Sequence, residues 1–306
     1  MEFNFLKLVF TLTLADDIDD QYLLFGIRTG FPEIFRRVTG CDRASCGKCP
    51  KAAECPYQQI FSQAIHSDPS AIKRFQKPPL PFVLDPPILP MAPDRGDSCE
   101  IGLTLVGIAI NHVVHFLDAV GFMFAHRESR WSGIAGLTRI ESADYLGNRA
   151  IISENGNRAA LDRFHILSLD GLEKSALLPA DELSLTFVTP LRIIKDGRPL
   201  KELSFSALVM SLLRRMSAVA FYYCYLDLDL DYKWLARQSR EIGIGSNRFG
   251  WVELDKNLSG IIGSGSFSGN MAEFQRILLF GEYLHAGKGA AYGLGRYHLE
   301  KNGPMA

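Results

Sequence analysis

Residues 285–297 read HAGKGAAYGLGRY, with Gly287, Gly289, Gly293 and Gly295 close together and His285, Lys288, Tyr292 and Arg296 among them. Glycine allows close backbone approach and positive φ, at a cost in entropy on ordering. Basic side chains take phosphates, and a tyrosine ring stacks on a base. The mixture therefore points to an anionic polymer. Two nucleotide cradles do not fit. A P-loop needs G-x-x-x-x-G-K-[ST] between a strand and a following helix, whereas here a helical pattern precedes the loop, a strand pattern follows it, and Gly289 follows Lys288. A dinucleotide fingerprint opens a helix, and GKGAAYG closes one. The competing reading is a link between helix and strand whose backbone packs on a neighbouring part of the chain.

A second group with chemical potential is Cys41, Cys46, Cys49 and Cys55, spaced C-x4-C-x2-C-x5-C. So tight a cluster favours metal over disulfides. Four thiolates suit a tetrahedral structural zinc. The first two spacings also open a plant-type [2Fe–2S] pattern, whose fourth cysteine lies far downstream, and free thiols are the third reading. Such a site would pin an insertion and take no part in the chemistry of the loop. Cys99 and Cys224 lie in apolar segments and read as core. His112 and His115 stand on an otherwise apolar helix and read as packed. His126, Arg127 and Arg130 in AHRESRW read as solvated loop charge.

These groups need a scaffold. The chain has 306 residues, 47% hydrophobic and 22% charged, with a net charge of −1, a soluble composition long enough for two domains. Residues 183–306 carry about +4 and residues 1–182 about −5, which suits a localised anionic partner. MEFNFLKLVFTLTLADD alternates like a strand and lacks a basic n-region followed by an apolar stretch. Leu105–Ala125 contains Asn111, His112, His115 and Asp118, a poor membrane span. The expectation is a cytoplasmic protein with no membrane partner.

Periodicity predicts a strand over 3–14 and a helix over 22–38, with a kink or restart at Pro32. KPPLPFVLDPPILPMAP has seven prolines in 17 residues and is expected to be extended and irregular. CEIGLTLVGIAI reads as a strand and NHVVHFLDAVGFMFAH as a helix opened by an Asn111 cap. Strand-like segments follow at 134–142 and 150–153. Near 178–182 the pattern restarts. ELSLTFVTPLRII is a strand ending at Pro190, DGRP is a turn, and SFSALVMSLLRRMSAVAFYYCYL is a long amphipathic helix. RFGWVEL and LSGIIGSGSFSG read as two short strands. NMAEFQRILLFGEYLH reads as a helix with Asn270 and Glu273 at capping-box spacing, and GRYHLE closes the chain as a strand. The second half is β-α-β-β-α-β, and the first is β-α-insert-β-α-β with a strand still to be found. The predicted fold class is α+β: two tandem ferredoxin-like (RRM-like) domains. They span 1–177, with the cysteine-rich insertion 41–55, and 178–306, with the glycine-rich loop 286–295.

LHAGKGAAYGLGRY resembles the C-terminal glycine-rich loop of the CRISPR-associated precursor-crRNA processing endoribonucleases of the RAMP superfamily. SLTFVTPLRIIKDGRPLKELSFSALVMSLLRRMSAV is similar to that family's second-domain opening, and LSGIIGSGSFSG to the strand before its last helix. GIRTGFPEIFRRVTGC resembles its first helix, with Arg28 and Gly30 matching, and CGKCPKAAECPYQQIF resembles a cysteine segment of one branch. The likeness spans most of the chain.

The resemblance implies CRISPR repeat RNA as substrate, lying against the glycine-rich loop, and subunits of a CRISPR effector complex as partners. It implies metal-independent cleavage: the ribose 2′-OH attacks the adjacent phosphate, leaving a 2′,3′-cyclic phosphate and a 5′-OH. That reaction needs a base, a cation for the phosphorane charge and an acid for the leaving oxygen. His285, at a helix C-terminus that favours imidazolium, is the candidate for proton transfer, against a plain C-cap role. Lys288 is the candidate for phosphate charge and Tyr292 for orienting the 2′-OH or stacking. Candidate RNA-binding residues are Arg28, Arg192, Arg214, Arg215, Gly287, Gly289, Gly293, Gly295 and Arg296. Arg214 and Arg215 are one step apart on a helix, so at most one reaches the same RNA. Members of the family often carry a histidine near the first helix. This sequence has none before His66, so Arg28 or Tyr22 would substitute. The same departure supports an alternative, a non-catalytic RAMP subunit that binds crRNA within an effector complex.

Overall fold

The computed structural model describes residues 2–41, 49–52, 54–67, 77–158, 161–175, 178–179, 181–255 and 258–300. The chain divides into two compact units, Asn4–Leu167 and Met1–Phe3 with Ser168–Ala306.

In the unit Asn4–Leu167, β1 (Asn4–Leu14) is followed by a 3-10 turn, Leu23–Gly26, and then α1 (Ile27–Val38). The helix runs through Pro32, so the expected restart lies instead at the Gly26/Ile27 junction. There the Arg130 guanidinium donates to the Gly26 carbonyl at 2.8 Å. After α2 (Pro56–Phe61) comes β2 (Phe82–Asp85), inside the proline-rich stretch expected to be irregular. Phe82–Asp85 is itself free of proline, which stands on either side at Pro81 and Pro86. A short edge strand tolerates that arrangement. β3 (Ser98–Val106) leads through a 3-10 segment, Gly107–His112, into α3 (Val113–Ala125). Asn111 falls within the 3-10 segment, and no side chain caps α3, so the predicted Asn cap does not form. β4 (Ala135–Ala143), β5 (Arg149–Glu154), β6 (Asn157–Arg158) and β7 (Ile166–Ser168) complete the sheet.

The sheet order is β2-β3-β1-β4-β5-β6, with β7 also pairing with β1. β2 is the missing strand, and β1-α1-β2-β3-α3-β4 is a ferredoxin-like unit extended by β5 and β6. Its helices meet the sheet through Phe31, Phe35, Phe82 and Phe116, all fully buried. Ring centroids lie 4.8 Å apart for Phe35–Phe116 and 5.4 Å for Phe82–Phe116. Such pairs contribute about 0.5–1.5 kcal/mol beyond the area they bury.

In the second unit α4 (Leu169–Ser175) precedes β8 (Glu182–Leu191). β9 (Ile194–Lys195) and β10 (Arg198–Pro199) form a hairpin whose turn residues, Asp196 and Gly197, have φ of 50° and 77°. Two positive φ values in a two-residue loop are what a type I′ turn requires. α5 (Phe205–Cys224) is capped by Ser204, whose hydroxyl accepts the Ala207 N–H. α6 (Tyr232–Glu241), capped by Asp231, lies in a stretch where the hydrophobic pattern shows no element. β12 (Leu258–Ser268) falls on the expected LSGIIGSGSFSG strand, whereas β11 (Gly243–Asp255) starts five residues before the expected RFGWVEL. Asn270 accepts the Ala272 N–H of a 3-10 turn, and α7 (Gln275–Leu284) starts after it, so the predicted capping box at Asn270 and Glu273 does not open the helix. β13 (Tyr297–Leu299) ends the described chain's regular structure.

This sheet is antiparallel in the order β11-β12-β8-β13. The sequence β8-α5-β11-β12-α7-β13 threads it as a second ferredoxin-like unit. Two helical stretches, Gly107–Ala125 and Phe205–Cys224, have the length and composition to cross a membrane. Both place core residues, such as Phe116 and Leu212, inside their units.

Candidate functional site

The glycine-rich segment joins α7 to β13 and is bound along its length to the end of β8. α7 stops at His285, whose φ of 56° and ψ of 163° lie where glycine is at ease and other residues are strained. The His285 N–H still reaches Gly281 O at 2.8 Å. Arg215 on α5 donates from Nε to the Leu284 carbonyl at 2.8 Å. Burial pushes the Arg215 pKa down to about 10. The group still carries its charge at neutral pH, now aimed at the carbonyl end of α7, where a cation is favoured.

From there the backbone is tied to the β8 strand and the residue after it. Lys288 N–H donates to Arg192 O at 2.7 Å, Gly295 N–H to Pro190 O at 3.1 Å, and Ala286 N–H closes onto Gly295 O at 3.1 Å. Inside that closure Ala290–Tyr292 makes one 3-10 turn between Gly289 and Gly293, both left-handed. Thr189 is fully buried, and its hydroxyl donates to Gly293 O at 2.7 Å while accepting the Arg296 N–H at 2.8 Å.

Two of the glycines are forced by close approach. A Cβ on Gly287 would stand 2.6 Å from Arg192 O, and one on Gly295 would collide with Ala286 O. Those approaches are made to this chain's own backbone. A third close approach lies under the segment: a Cβ on Gly281 of α7 would meet the hydroxyl of Tyr297, which is buried and donates to Leu278 O at 2.6 Å.

What this packing presents outward is a short list of side chains. Lys288 is exposed, while Tyr292, Arg192 and Arg296 are half-buried. Elsewhere arginines are matched by carboxylates: Arg37 meets Glu128 at 2.6 Å, Arg139 meets Glu154 at 2.6 Å and Arg149 meets Glu100 at 2.5 Å. Lys288, Arg192 and the exposed Arg214 make no ion pair among the described residues. Lys288 and Arg192 are held together by the backbone bond between them. Two cations without carboxylate partners, one on the loop and one on the backbone segment it is bonded to, are suited to an anion.

The remaining predicted residues fall in different places. The His285 ring is 1% exposed, so it touches a ligand only by leaving that packing. Arg215 is committed to the α7 carbonyl end, and Arg214 next to it points to solvent, as their one-step spacing implies. Gly293 and Gly295 are buried, whereas Gly287 is half-buried and Gly289 exposed. Arg28 and Tyr22 are half-buried in the other unit. His112 is packed, its Nε2 lying 2.6 Å from Gln59 Oε1, and burial holds its pKa below the usual histidine value. His126 stacks on Phe122 with centroids 4.2 Å apart. Cys41, Cys49 and Cys55 are free thiols, and Cys46 lies outside the described residues. Among the described residues no group of three or more His, Cys, Asp or Glu could hold a metal, so these three thiols do not by themselves make a zinc site. Sequence reasoning missed Thr189 and the capping role of Arg215. The signal for Thr189 was a hydroxyl in the core-facing series Leu183, Leu185, Phe187, Thr189, Leu191.

A family model described as an N-terminal domain, AF_1859_N, matches residues 3–163. A second, the CRISPR-associated endoribonuclease Cas6, matches residues 185–297. No curated protein matches the sequence. Among solved structures, the chain is similar to a partial Cas6-RT-Cas1–Cas2 complex at 13% identity and a TM-score of 0.60, covering 100% of this chain and 47% of that one. A fuller complex of the same kind is covered over 30% of its length, so this chain spans less than half of either. It is also similar to a Cas6 (TTHB231) product complex, at 16% identity and a TM-score of 0.58, over 96% of this chain and 99% of that one. The same protein from Thermus thermophilus gives 16% identity and 0.53, over 98% and 99%. At these identities the structures establish the fold.

Proposed function

We propose that this chain, which belongs to the CRISPR-associated RNA-processing proteins of the RAMP fold, cuts CRISPR repeat RNA in precursor crRNA and retains the mature crRNA. The observation that carries this reading is Lys288, on the glycine-rich loop, bonded through its backbone to Arg192 just after β8, both cations without ion-pair partners among the described residues and both inside the segment matched by the Cas6 model. Cleavage proceeds by attack of the 2′-OH on the adjacent phosphate, giving a 2′,3′-cyclic phosphate and a 5′-OH. No metal ion enters the step. The Lys288 ammonium stabilises charge on the phosphorane oxygens. The Tyr292 phenol orients the 2′-OH or stacks on a base. His285 is the proton-transfer residue to test, and it acts only if RNA draws its ring out of the packed position.

Repeat RNA incubated in EDTA is the decisive assay. The expected products end in a 2′,3′-cyclic phosphate. Lys288→Ala should slow single-turnover cleavage by about 10²–10³-fold, the usual cost of removing one transition-state donor. Full activity in both Lys288→Ala and His285→Ala would remove this site assignment. Loss of all cleavage in EDTA, restored by a divalent ion, would remove the metal-independent step.

A second reading is a RAMP subunit that binds crRNA without cutting it. It is favoured by α1, IRTGFPEIFRRV, which carries no histidine. Repeat RNA bound and recovered intact is its signature. In either case we propose crRNA and CRISPR effector subunits as partners. We also propose a structural zinc on Cys41, Cys46, Cys49 and Cys55 that stands apart from the reaction.

A further inference from the structure

We infer that Thr189 is the positioning residue of the RNA-cutting loop, an inference that rests on the function proposed above. Thr189 occupies the core-facing series of β8, where Leu185, Phe187 and Leu191 are each at most 2% exposed. Packing alone would favour valine there, because a buried hydroxyl is costly unless it is hydrogen-bonded. This one makes two bonds, and both go to the glycine-rich segment: it donates to Gly293 O at 2.7 Å and accepts from Arg296 N–H at 2.8 Å. Those two groups bracket Leu294 and Gly295, whose N–H is itself held by the neighbouring Pro190 carbonyl at 3.1 Å. The Val188 N–H adds a bond to Arg296 O at 2.9 Å.

The consequence is geometric. Tyr292 immediately precedes one anchored residue, and Arg296 is the other. The hydroxyl, together with the backbone bonds of Gly295 and Arg296, therefore fixes where the phenol and the guanidinium leave the backbone. Lys288 is held separately, through Arg192 O. Loss of the Thr189 hydroxyl would loosen the Tyr292–Arg296 half of the loop at those two points, with its backbone bonds to Val188 and Pro190 kept, and leave the Lys288 half in place. Catalysis is sensitive to such a shift, since a displacement of about 1 Å costs about 10²-fold. Affinity for RNA, carried largely by charge, is much less sensitive.

Thr189→Val replaces the hydroxyl by a methyl of nearly equal volume, and Thr189→Ser keeps the hydroxyl. Single-turnover cleavage of repeat RNA is measured for both, together with Kd for the same RNA carrying a 2′-deoxy group at the cut and the melting temperature. Expected for T189V is a cleavage rate about 10–100-fold lower, with Kd within about threefold, since that is far less than the loss of one phosphate contact. Expected for T189S is the wild-type rate. T189V cutting at the wild-type rate overturns the inference, and so does T189S as slow as T189V, because volume and not the hydroxyl would then matter. A T189V chain that does not fold leaves T189S to decide: wild-type rate supports the inference and a tenfold loss overturns it. A wild-type chain that binds the repeat without cutting it overturns the proposed function, and the inference with it.

Discussion

Gly295→Ala tests whether the glycine-rich segment is a packed seat. Gly295 has φ of +66°, and a Cβ there would collide with the Ala286 carbonyl oxygen. An L-residue in the left-handed region costs about 1–2 kcal/mol. Relieving the collision must separate Gly295 from Ala286, which threatens the Ala286 N–H to Gly295 O bond and the Gly295 N–H to Pro190 O bond, each 3.1 Å long. Both residues are buried, so each bond lost removes about 1 kcal/mol or more. The expected destabilisation is therefore about 3–4 kcal/mol. Gly289→Ala is the internal comparison. Its φ is +89°, but its nearest neighbour is the Leu294 Cδ1 methyl at 2.7 Å, the end of a side chain and not a backbone oxygen. Its cost should stay near the backbone term alone, about 1–2 kcal/mol. Urea unfolding of the two variants and the wild type, followed by far-ultraviolet circular dichroism, measures the difference. Equal midpoints for the two variants would refute the reasoning, and so would a Gly295→Ala chain within about 1 kcal/mol of wild type.

Arg215→Met should lower stability by about 1–3 kcal/mol, because the Leu284 carbonyl loses a charged donor, and urea unfolding reads this. Arg214→Ala should leave stability unchanged and reduce the slope of log K against log salt for repeat RNA by about one phosphate's worth. The reverse pattern would mean that the two roles are exchanged. Burial lowers the His112 pKa below 6.5, so the unfolded chain binds the proton more readily. His112 then contributes stability that is fully present above pH 6.5 and is lost as pH falls through its folded value. Stability measured between pH 7 and pH 5 should fall more in wild type than in His112→Asn, and parallel curves would refute this. Zinc analysis of the purified protein should find about one ion per chain, lost in Cys46→Ser, if four thiolates form the site. A protein with no bound zinc would leave the cysteines as thiols.

The fold was readable where a period is long and unbroken. β8 alternates over Glu182–Thr189, β1 is an apolar stretch of 11 residues that alternates over Phe10–Leu14, and α5 runs for 20 residues behind a serine cap. β2 was hidden because its four residues are flanked by prolines, and composition over the whole stretch outweighs so short a strand. α6 was hidden because in YKWLARQSRE only Leu235 and Ser239 are buried, leaving too narrow an apolar stripe to read. The capping expectations failed for a related reason. Asn111 and Asn270 have the right side chains, but in both cases a 3-10 turn comes first and displaces the helix start. At the candidate site, residue types singled out Lys288 and the cation-rich loop as candidates. They did not reveal that Arg215 faces inward, because two adjacent helical arginines look alike until the partner carbonyl of α7 is known.

The glycines of this loop do not have the role that a glycine-rich sequence first suggests. At Gly287 and Gly295 the space a side chain would need is filled by the protein's own carbonyls. A substitution there that abolishes RNA cleavage would be no evidence of a lost RNA contact, because the seat itself would have shifted. A side-chain variant of Lys288 reports on the ligand more directly, since that residue is exposed, whereas Arg192 is half-buried. The arrangement also has a thermodynamic consequence. A free glycine-rich loop would lose a large conformational entropy when RNA ordered it. Here the ordering is completed on folding, by the bonds to Thr189, Pro190 and Arg192. On the proposed function, RNA would meet a preorganised surface, and less of its interaction energy would be offset by ordering the protein. Releasing the Lys288 half of the loop, which the bond to Arg192 O holds, should therefore reduce RNA affinity even where every cationic side chain is retained, whereas loss of the Thr189 hydroxyl alone should leave it within about threefold.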